Sequence, residues 1–336
     1  MCLAAAWSSM TALLEVRDLC VSYAGAAGRS SVALAGVDLR LQAGETLGIL
    51  GESGSGKSTL AAALLRMLPA NGRVERGGLF FCGQNLLTCD ASAMEKIRGA
   101  RMALIFQEPS QALHPMLRVV EQVRFVLAAR TELRGRALRD KTLRVLTAVF
   151  PDETERISRS YPHQLSGGQR ARALIAQAIC CEPELIVADE PTASLDAVTQ
   201  MEIVGLFRRL REEFGIALIW ITHTPALLAG FAERVMVLYA GRVMEVGPCA
   251  EVLGAPRHPY TEALLQCLPT GLEDGFAGRK TELAVIRGET PVAVRDAGKC
   301  VFESRCSERM EVCVTGEPAM VELSGTHHVS CVKYAV

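Results

Sequence analysis

The 336-residue chain reads as an α/β protein: a mostly parallel sheet with helices on both faces, followed by a smaller appendage. Three observations predict this. Short continuous apolar runs, such as Leu185–Ala188 and Ile216–Ile221, have the length of strands buried on both faces and alternate with helical stretches. A glycine-rich run from Gly51 to Ser58, of the form G-x-x-x-x-G-K-S, stands between one such strand and a helix. Beyond Gly247 the composition changes: long apolar segments become scarce and cysteines crowd.

Taken in order, Leu14–Tyr23 and Val32–Leu41 alternate enough to be antiparallel strands, joined by a Gly/Ala/Ser-rich stretch at 24–31. Glu45–Leu50 is a buried strand feeding the glycine-rich loop, and Lys57–Leu68 is an apolar helix stopped by Pro69. Short strands follow near Leu79–Cys82 and at Met102–Phe106, the latter ending on Gln107. Residues 117–165 carry Val119, Val120, Val123, Val126 and Leu127 at helical spacing and form a mostly helical insertion. Then come helix Gly168–Cys180, strand Leu185–Ala188, helix Ala197–Glu213, and strands Ile216–Thr222, Val235–Tyr239 and Arg242–Val246. Pro259 and Thr261 signal a helix start, Glu262 suits the positive end of its dipole, and Pro269 to Gly271 close it. Residues 272–336 are too few and too poor in apolar segments to be stable without a staple.

Composition excludes several classes. The net charge of −1 advertises no basic surface for nucleic acid. No apolar stretch approaches the roughly 20 residues needed to span a bilayer. The apolar run Cys2–Trp7 lacks the basic flank of a signal peptide, and initiation at Met10 is compatible with recognisable domain sequence beginning near Leu13. The expectation is a cytosolic chain reaching any membrane through partners. In a reducing compartment the twelve cysteines are not a disulfide framework. Cys2, Cys20, Cys82, Cys89, Cys180, Cys181, Cys249 and Cys267 are scattered as small apolar packing residues.

The chemistry is concentrated in five motifs. In the run Gly51 to Ser58, glycines let backbone N–H groups curl around phosphate oxygens, Lys57 reaches the terminal phosphates and Ser58 can ligate Mg²⁺. Leu165 to Gln169 is a Leu-Ser-Gly-Gly-Gln turn opening a helix, a second anion site. Two phosphate-binding helix starts in one chain suggest ATP held between two molecules. Asp189 closes a buried run and is followed by Glu190, which places two carboxylates at the carboxyl edge of a parallel sheet. Gln107 and His223 each end a strand. Singly, each has a bland reading: a turn, a solvated loop, a surface glutamine, a structural histidine. Together and in this order they resemble the nucleotide-binding subunit of ABC transporters over roughly residues 13–270.

The resemblance implies a P-loop, ABC-type ATPase core at 13–250, with an antiparallel β subdomain and a helical subdomain at about 108–168, and a cysteine-containing extension at 251–336. It implies ATP hydrolysis with Mg²⁺. Tyr23 would stack on adenine, although aromatics favour strands anyway. Gly51, Ser53, Gly54, Ser55, Gly56, Lys57, Ser58 and Thr59 would hold the phosphates, and Ser58, Gln107 and Asp189 the Mg²⁺. Glu190 would polarise the attacking water, His223 would bond the γ-phosphate, and Ser166, Gly167, Gly168 and Gln169 would close the site of a second subunit. Ser194–Asp196 would line that dimer contact. Two departures stand out: Thr224 replaces the usual Asp after the histidine, and Ser110 to Pro115 replaces the commoner Met-Thr-Ser-Leu-Asn-Pro.

Tyr161 to Gly168, the Ala255 to Thr261 run and the cysteine tail are similar to the ATPase subunits of bacterial dipeptide and oligopeptide importers; close relatives import nickel or metal chelates. That family implies a homologous second ATPase, usually a different one, two transmembrane permease subunits, an extracytoplasmic binding protein and a place on the cytoplasmic face of the inner membrane. A soluble ABC ATPase of an enzyme complex shares much of the core but not the tail. In that tail Cys300, Cys306, Cys313 and Cys331 are spaced more widely than zinc knuckles or ferredoxin runs, so spacing says metal or cluster without choosing. The resemblance chooses a [4Fe–4S] cluster over Zn²⁺, as a staple for the extension; Ser307 stands where Pro is usual.

Overall fold

The computed structural model describes residues 12–25, 30–107, 112–267, 285–286, 288–291, 293 and 298–335. Among them the strands are β1 (Leu14–Ala24), β2 (Ser30–Leu41), β3 (Thr46–Leu50), β4 (Gly72–Phe81), β5 (Gln84–Asn85), β6 (Met102–Ile105), β7 (Leu185–Asp189), β8 (Ala217–Ile221), β9 (Arg234–Tyr239), β10 (Arg242–Pro248), β11 (Val321–Ser324) and β12 (His327–Val329). The larger sheet has the order β11-β12-β10-β9-β3-β8-β7-β6, and the smaller is β2-β1-β4-β5. From β9 to β6 all neighbours are parallel. β10 folds back antiparallel on β9, and β12 and β11 continue that edge antiparallel.

The continuous apolar runs are the parallel strands because both their faces are covered. All five residues of β3 and of β8 are buried, and so are the first four of β7. Gly48, in the middle of β3, has no room for a side chain: a Cβ would lie 2.5 Å from Leu228 Cδ1. One apolar core joins β1 and β2 with the helix Lys57–Leu64 and one face of the sheet. The other joins the opposite face to helices Gly167–Ile179 and Ala197–Phe214, with Trp220 edge-on to Phe207 and Phe231. The insertion is helical as its spacing predicts: Val119–Arg130, Gly135–Val149 and Thr154–Arg159. Helix Ala197–Phe214 starts on Asp196, whose carboxylate accepts from Thr199 N, and stops at Gly215 in the left-handed region, φ 66°.

The tail differs from its sequence reading. Two short strands that no apolar run announced extend the larger sheet through β12 on β10. Glu245 of β10 ties the junction. Fully buried, it accepts from the backbone N–H of Arg257 and His258 and lies 2.8 Å from His327 Nε2 on β12. The helix predicted to start at Pro259 does so, spanning Pro259–Gln266 with the His258 ring as its cap. Its predicted stop at 269–271, the N-terminal run Cys2–Trp7 with Met10, part of the 24–31 link and residues 108–111 lie outside the described residues.

Candidate active site

The parallel strands end on one edge, and four of the five motifs leave from it. The loop after β3 carries the first. Gly51 and Gly56 are required by close approach: a Cβ on Gly51 would meet Leu238 O at 2.2 Å, and one on Gly56, at φ 107°, would meet Ala33 O at 2.7 Å. The curled loop delivers the first turn of helix Lys57–Leu64 with no side chain capping its amides. Lys57 is buried in the curl, and its Nζ donates to Gly51 O at 2.7 Å, Glu52 O at 2.8 Å and Ser55 Oγ at 3.4 Å. Burial pulls its pKa down against the pull of Glu190, Asp189 and Glu52. The Tyr23 hydroxyl lies 3.0 Å from Thr59 Oγ1, at the end of β1 beside this helix.

Asp189 ends β7. Burial raises its pKa, against a hydrogen bond from Ser58, and its Oδ1 is buried with no hydrogen-bond partner. An orphaned carboxylate oxygen beside a hydroxyl at a phosphate loop suits a hard divalent cation, so the donor set fits Mg²⁺. Glu190 follows with φ 47°, a left-handed conformation strained for a non-glycine residue and characteristic of functional turns. That turn is held by Glu190 N donating to Ile221 O on the neighbouring β8. Its Oε2 accepts from Gln107 Nε2 at 3.1 Å and lies 3.2 Å from His223 Nδ1. Three residues 33 and 83 positions apart in pairs therefore meet on one carboxylate oxygen. Thr224, at the departure noted above, points its amide at Thr222 Oγ1, so the turn after His223 closes without an aspartate.

The fifth motif stands apart. Ser166 Oγ accepts from Gln169 N at 3.2 Å, Gln169 Oε1 accepts from Ser166 N at 3.1 Å, and Gln169 Nε2 donates to Glu153. A side chain on Gly168 would run into Thr199 Cγ2 at 2.6 Å, and one on Gly167 would press on Leu195 at 3.2 Å. The turn thus packs on the segment after Glu190 that includes Asp196, not on its own chain's phosphate loop.

Sequence reasoning missed a second layer behind the loop. Glu52, an unspecified position of the motif, takes a two-pronged ion pair from Arg305 of the tail and a hydrogen bond from Thr290, and its backbone N–H donates to Tyr260 Oη. Arg305 and Thr290 hold the Glu52 carboxyl below its usual range, although burial is the largest single influence and opposes them. No local pattern links residues 253 positions apart.

The four tail cysteines share one neighbourhood. Cys300 N donates to Cys313 O at 2.8 Å, and Met310 N to Cys313 Sγ at 3.4 Å. Burial, reinforced by the other three thiols, pushes Cys300 up to about 11. Among the described residues no three His, Cys, Asp or Glu side chains stand close enough together to hold a metal ion. The expected [4Fe–4S] cluster, and Zn²⁺ as its alternative, thus find the right thiols near one another without a ligating geometry.

In sequence and in fold the chain is similar to ABC transporter proteins. The ABC transporter family model matches residues 34–193, and the model for the C-terminal region of oligopeptide/dipeptide transporters matches 244–313. The oligopeptide transport ATP-binding protein OppD of Escherichia coli (strain K12) is 39% identical over 307 residues, covering 91% of this chain and 89% of that protein. OppD of Bacillus subtilis (strain 168) is 36% identical over 321 residues, 95% and 88% of the two chains. Among solved structures, the ATP-binding cassette MJ0796, dimeric and bound to ADP and Pi, superposes with a TM-score of 0.63 at 29% identity, over 70% of this chain and 98% of that one. CbiO1 from Clostridium perfringens, part of the transporter complex cbiONQ, gives 0.64 at 28% identity, over 73% and 92%.

Proposed function

We infer how this chain works from the family to which it belongs, the ATP-binding proteins of ABC transporters that carry the oligopeptide/dipeptide transporter C-terminal region. It is the ATP-hydrolysing subunit of a peptide importer. The convergence of Gln107 and His223 on Glu190, at the mouth of the phosphate loop, is the observation that carries the mechanism.

Loop amides from Gly51 to Lys57, with Ser53, Gly54, Ser55, Gly56 and Thr59, bind and orient the phosphates, and Lys57 neutralises their charge. Ser58, Asp189 and Gln107 would hold Mg²⁺, which supplies charge neutralisation at the transferring phosphoryl group. Glu190, fixed by its strained turn, takes the proton of the attacking water, and His223 aligns the γ-phosphate. Tyr23 borders the adenine. Because Gly167 and Gly168 set the turn 166–169 against Leu195 and Thr199, that turn would complete the site of a second ATPase subunit, with Ser194–Asp196 at the contact. That partner is a different, homologous chain; the pair sits beneath two permease subunits on the cytoplasmic face of the inner membrane, and an extracytoplasmic binding protein delivers peptide. No helix among the described residues is long and apolar enough to cross a membrane; the permeases would supply the attachment. Residues 13–250 form the ATPase unit and 251–336 the importer-specific extension.

Glu190→Gln should retain ATP binding and cut hydrolysis in the assembled transporter by on the order of 10²–10⁴, the range for a lost general base. Turnover within threefold of wild type would refute the assignment. In the extension, Cys300, Cys306, Cys313 and Cys331 would ligate a [4Fe–4S] cluster that staples the tail to the sheet; their shared neighbourhood supports this. Anaerobically purified protein should then be brown, with about four irons per chain. Colourless protein with about one zinc would mean a Cys₄ zinc site instead.

A further inference from the structure

We propose that Arg305 of the C-terminal extension is a positioning residue for the nucleotide site, acting through Glu52 of the phosphate loop. The inference rests on the ATPase reading above and adds a residue to it. Glu52 is gripped by four residues, one of them Thr290, whose hydroxyl donates to its carboxylate at 2.8 Å. Arg305 Nη1 and Nη2 donate to its two carboxylate oxygens at 2.7 and 3.0 Å. Its backbone N–H donates to Tyr260 Oη at 2.9 Å, and its carbonyl accepts from Lys57 Nζ at 2.8 Å. The residue that Arg305 holds is therefore also the residue whose peptide groups sit between Gly51 and the lysine that meets the phosphates.

Arg305 is itself fixed on every side. Its side chain is only 6% exposed, lies over the Tyr239 ring at 5.6 Å, and donates to Tyr239 Oη, Gly288 O and Ile286 O. Tyr239 ends β9, whose Val237 pairs with Leu50 at the end of β3, immediately before the loop. Tyr239, Tyr260 and Phe302 pack ring against ring, joining sheet, helix Pro259–Gln266 and tail. A planar guanidinium held this way sets both the position and the direction of a carboxylate, which a lysine cannot do. Loop amides bind phosphate only when aimed at it, and displacements of about 1 Å in such positioning groups cost up to about a hundredfold.

A clasp that merely fastens the tail makes a different forecast, since its loss lowers stability and leaves the folded protein's affinity for ATP unchanged. The full chain with Mg²⁺ and a fluorescent ATP analogue separates the two. Arg305→Ala should weaken nucleotide binding about tenfold or more, Arg305→Lys should recover part of that, and Glu52→Gln should match Arg305→Ala. The double variant should be no worse than either single one, because both remove the same contact. In the assembled transporter KM for ATP should rise with kcat changed by less than about threefold. Binding by folded Arg305→Ala within about twofold of wild type overturns the proposal, as does additivity in the double variant. Should Arg305→Ala fail to fold, Arg305→Lys and Glu52→Gln decide it by the same criterion. Wild-type protein that binds no nucleotide would instead bring down the ATPase reading itself.

Discussion

The two helix starts to which we assign phosphate binding are built on opposite principles. The helix Lys57–Leu64 begins from a left-handed Gly56 with no side-chain cap, and the cation that fills its curl is buried and desolvated. The helix Gly167–Ile179 begins from a reciprocal cap, Ser166 on the Gln169 amide and Gln169 on the Ser166 amide. The first leaves its amides to a ligand and depends on surrounding structure, Leu238, Ala33 and Glu52, to keep its shape. The second keeps its own shape and presents an exposed face. A loop whose amides are left unpaired needs outside support; a turn that caps its own amides needs less of it.

That contrast breaks most directly at the two starts themselves. Lys57→Ala should weaken ATP binding by the isolated chain by on the order of 10²-fold, since a charge-assisted contact in a dry loop is lost. Ser166→Ala should leave that affinity within about twofold, yet lower hydrolysis by the assembled transporter about tenfold and cost about 1 kcal/mol of stability through the missing cap. Equal losses of isolated-chain affinity in the two variants would end the division of roles. A third helix start sharpens it, because Pro259–Gln266 is capped by a titratable ring. Burial lowers the His258 pKa to about 4, below its ordinary 6.5. Between those values the unfolded chain binds a proton that the folded chain does not, so stability declines as pH falls from 6.5 towards 4, by on the order of 3 kcal/mol at full extent. Thermal midpoints followed over that range should show a shallower pH slope in His258→Asn, which keeps a capping oxygen and cannot titrate; an unchanged slope would move the effect elsewhere.

Legibility followed the range of the interaction. The strand runs 185–188 and 216–221 announced themselves because both faces of a parallel strand must be apolar, and β7 and β8 lie where they were read. The phosphate loop announced itself because backbone that curls past Leu238 O and Ala33 O admits only glycine. β11 and β12 were invisible: strands of four and three residues are too short for an alternation to stand out, and they exist because β10 offers an edge. The Glu52–Arg305 pair was invisible too, since nothing in either neighbourhood encodes a partner at the other end of the chain.

Local chemistry thus determined the motifs, the alternation of strands and helices, and the shape of the glycine loop, because glycine sterics, capping and apolar runs act within a few residues. Tertiary structure alone decided that Gln107 and His223 close on one oxygen of Glu190, that the signature turn packs on Leu195 and Thr199, and that the tail reaches the phosphate loop through Arg305. Those are distances between side chains on different strands and segments, set by the order and register in which strands pair, and such an order is a property of the packed sheet rather than of any one segment.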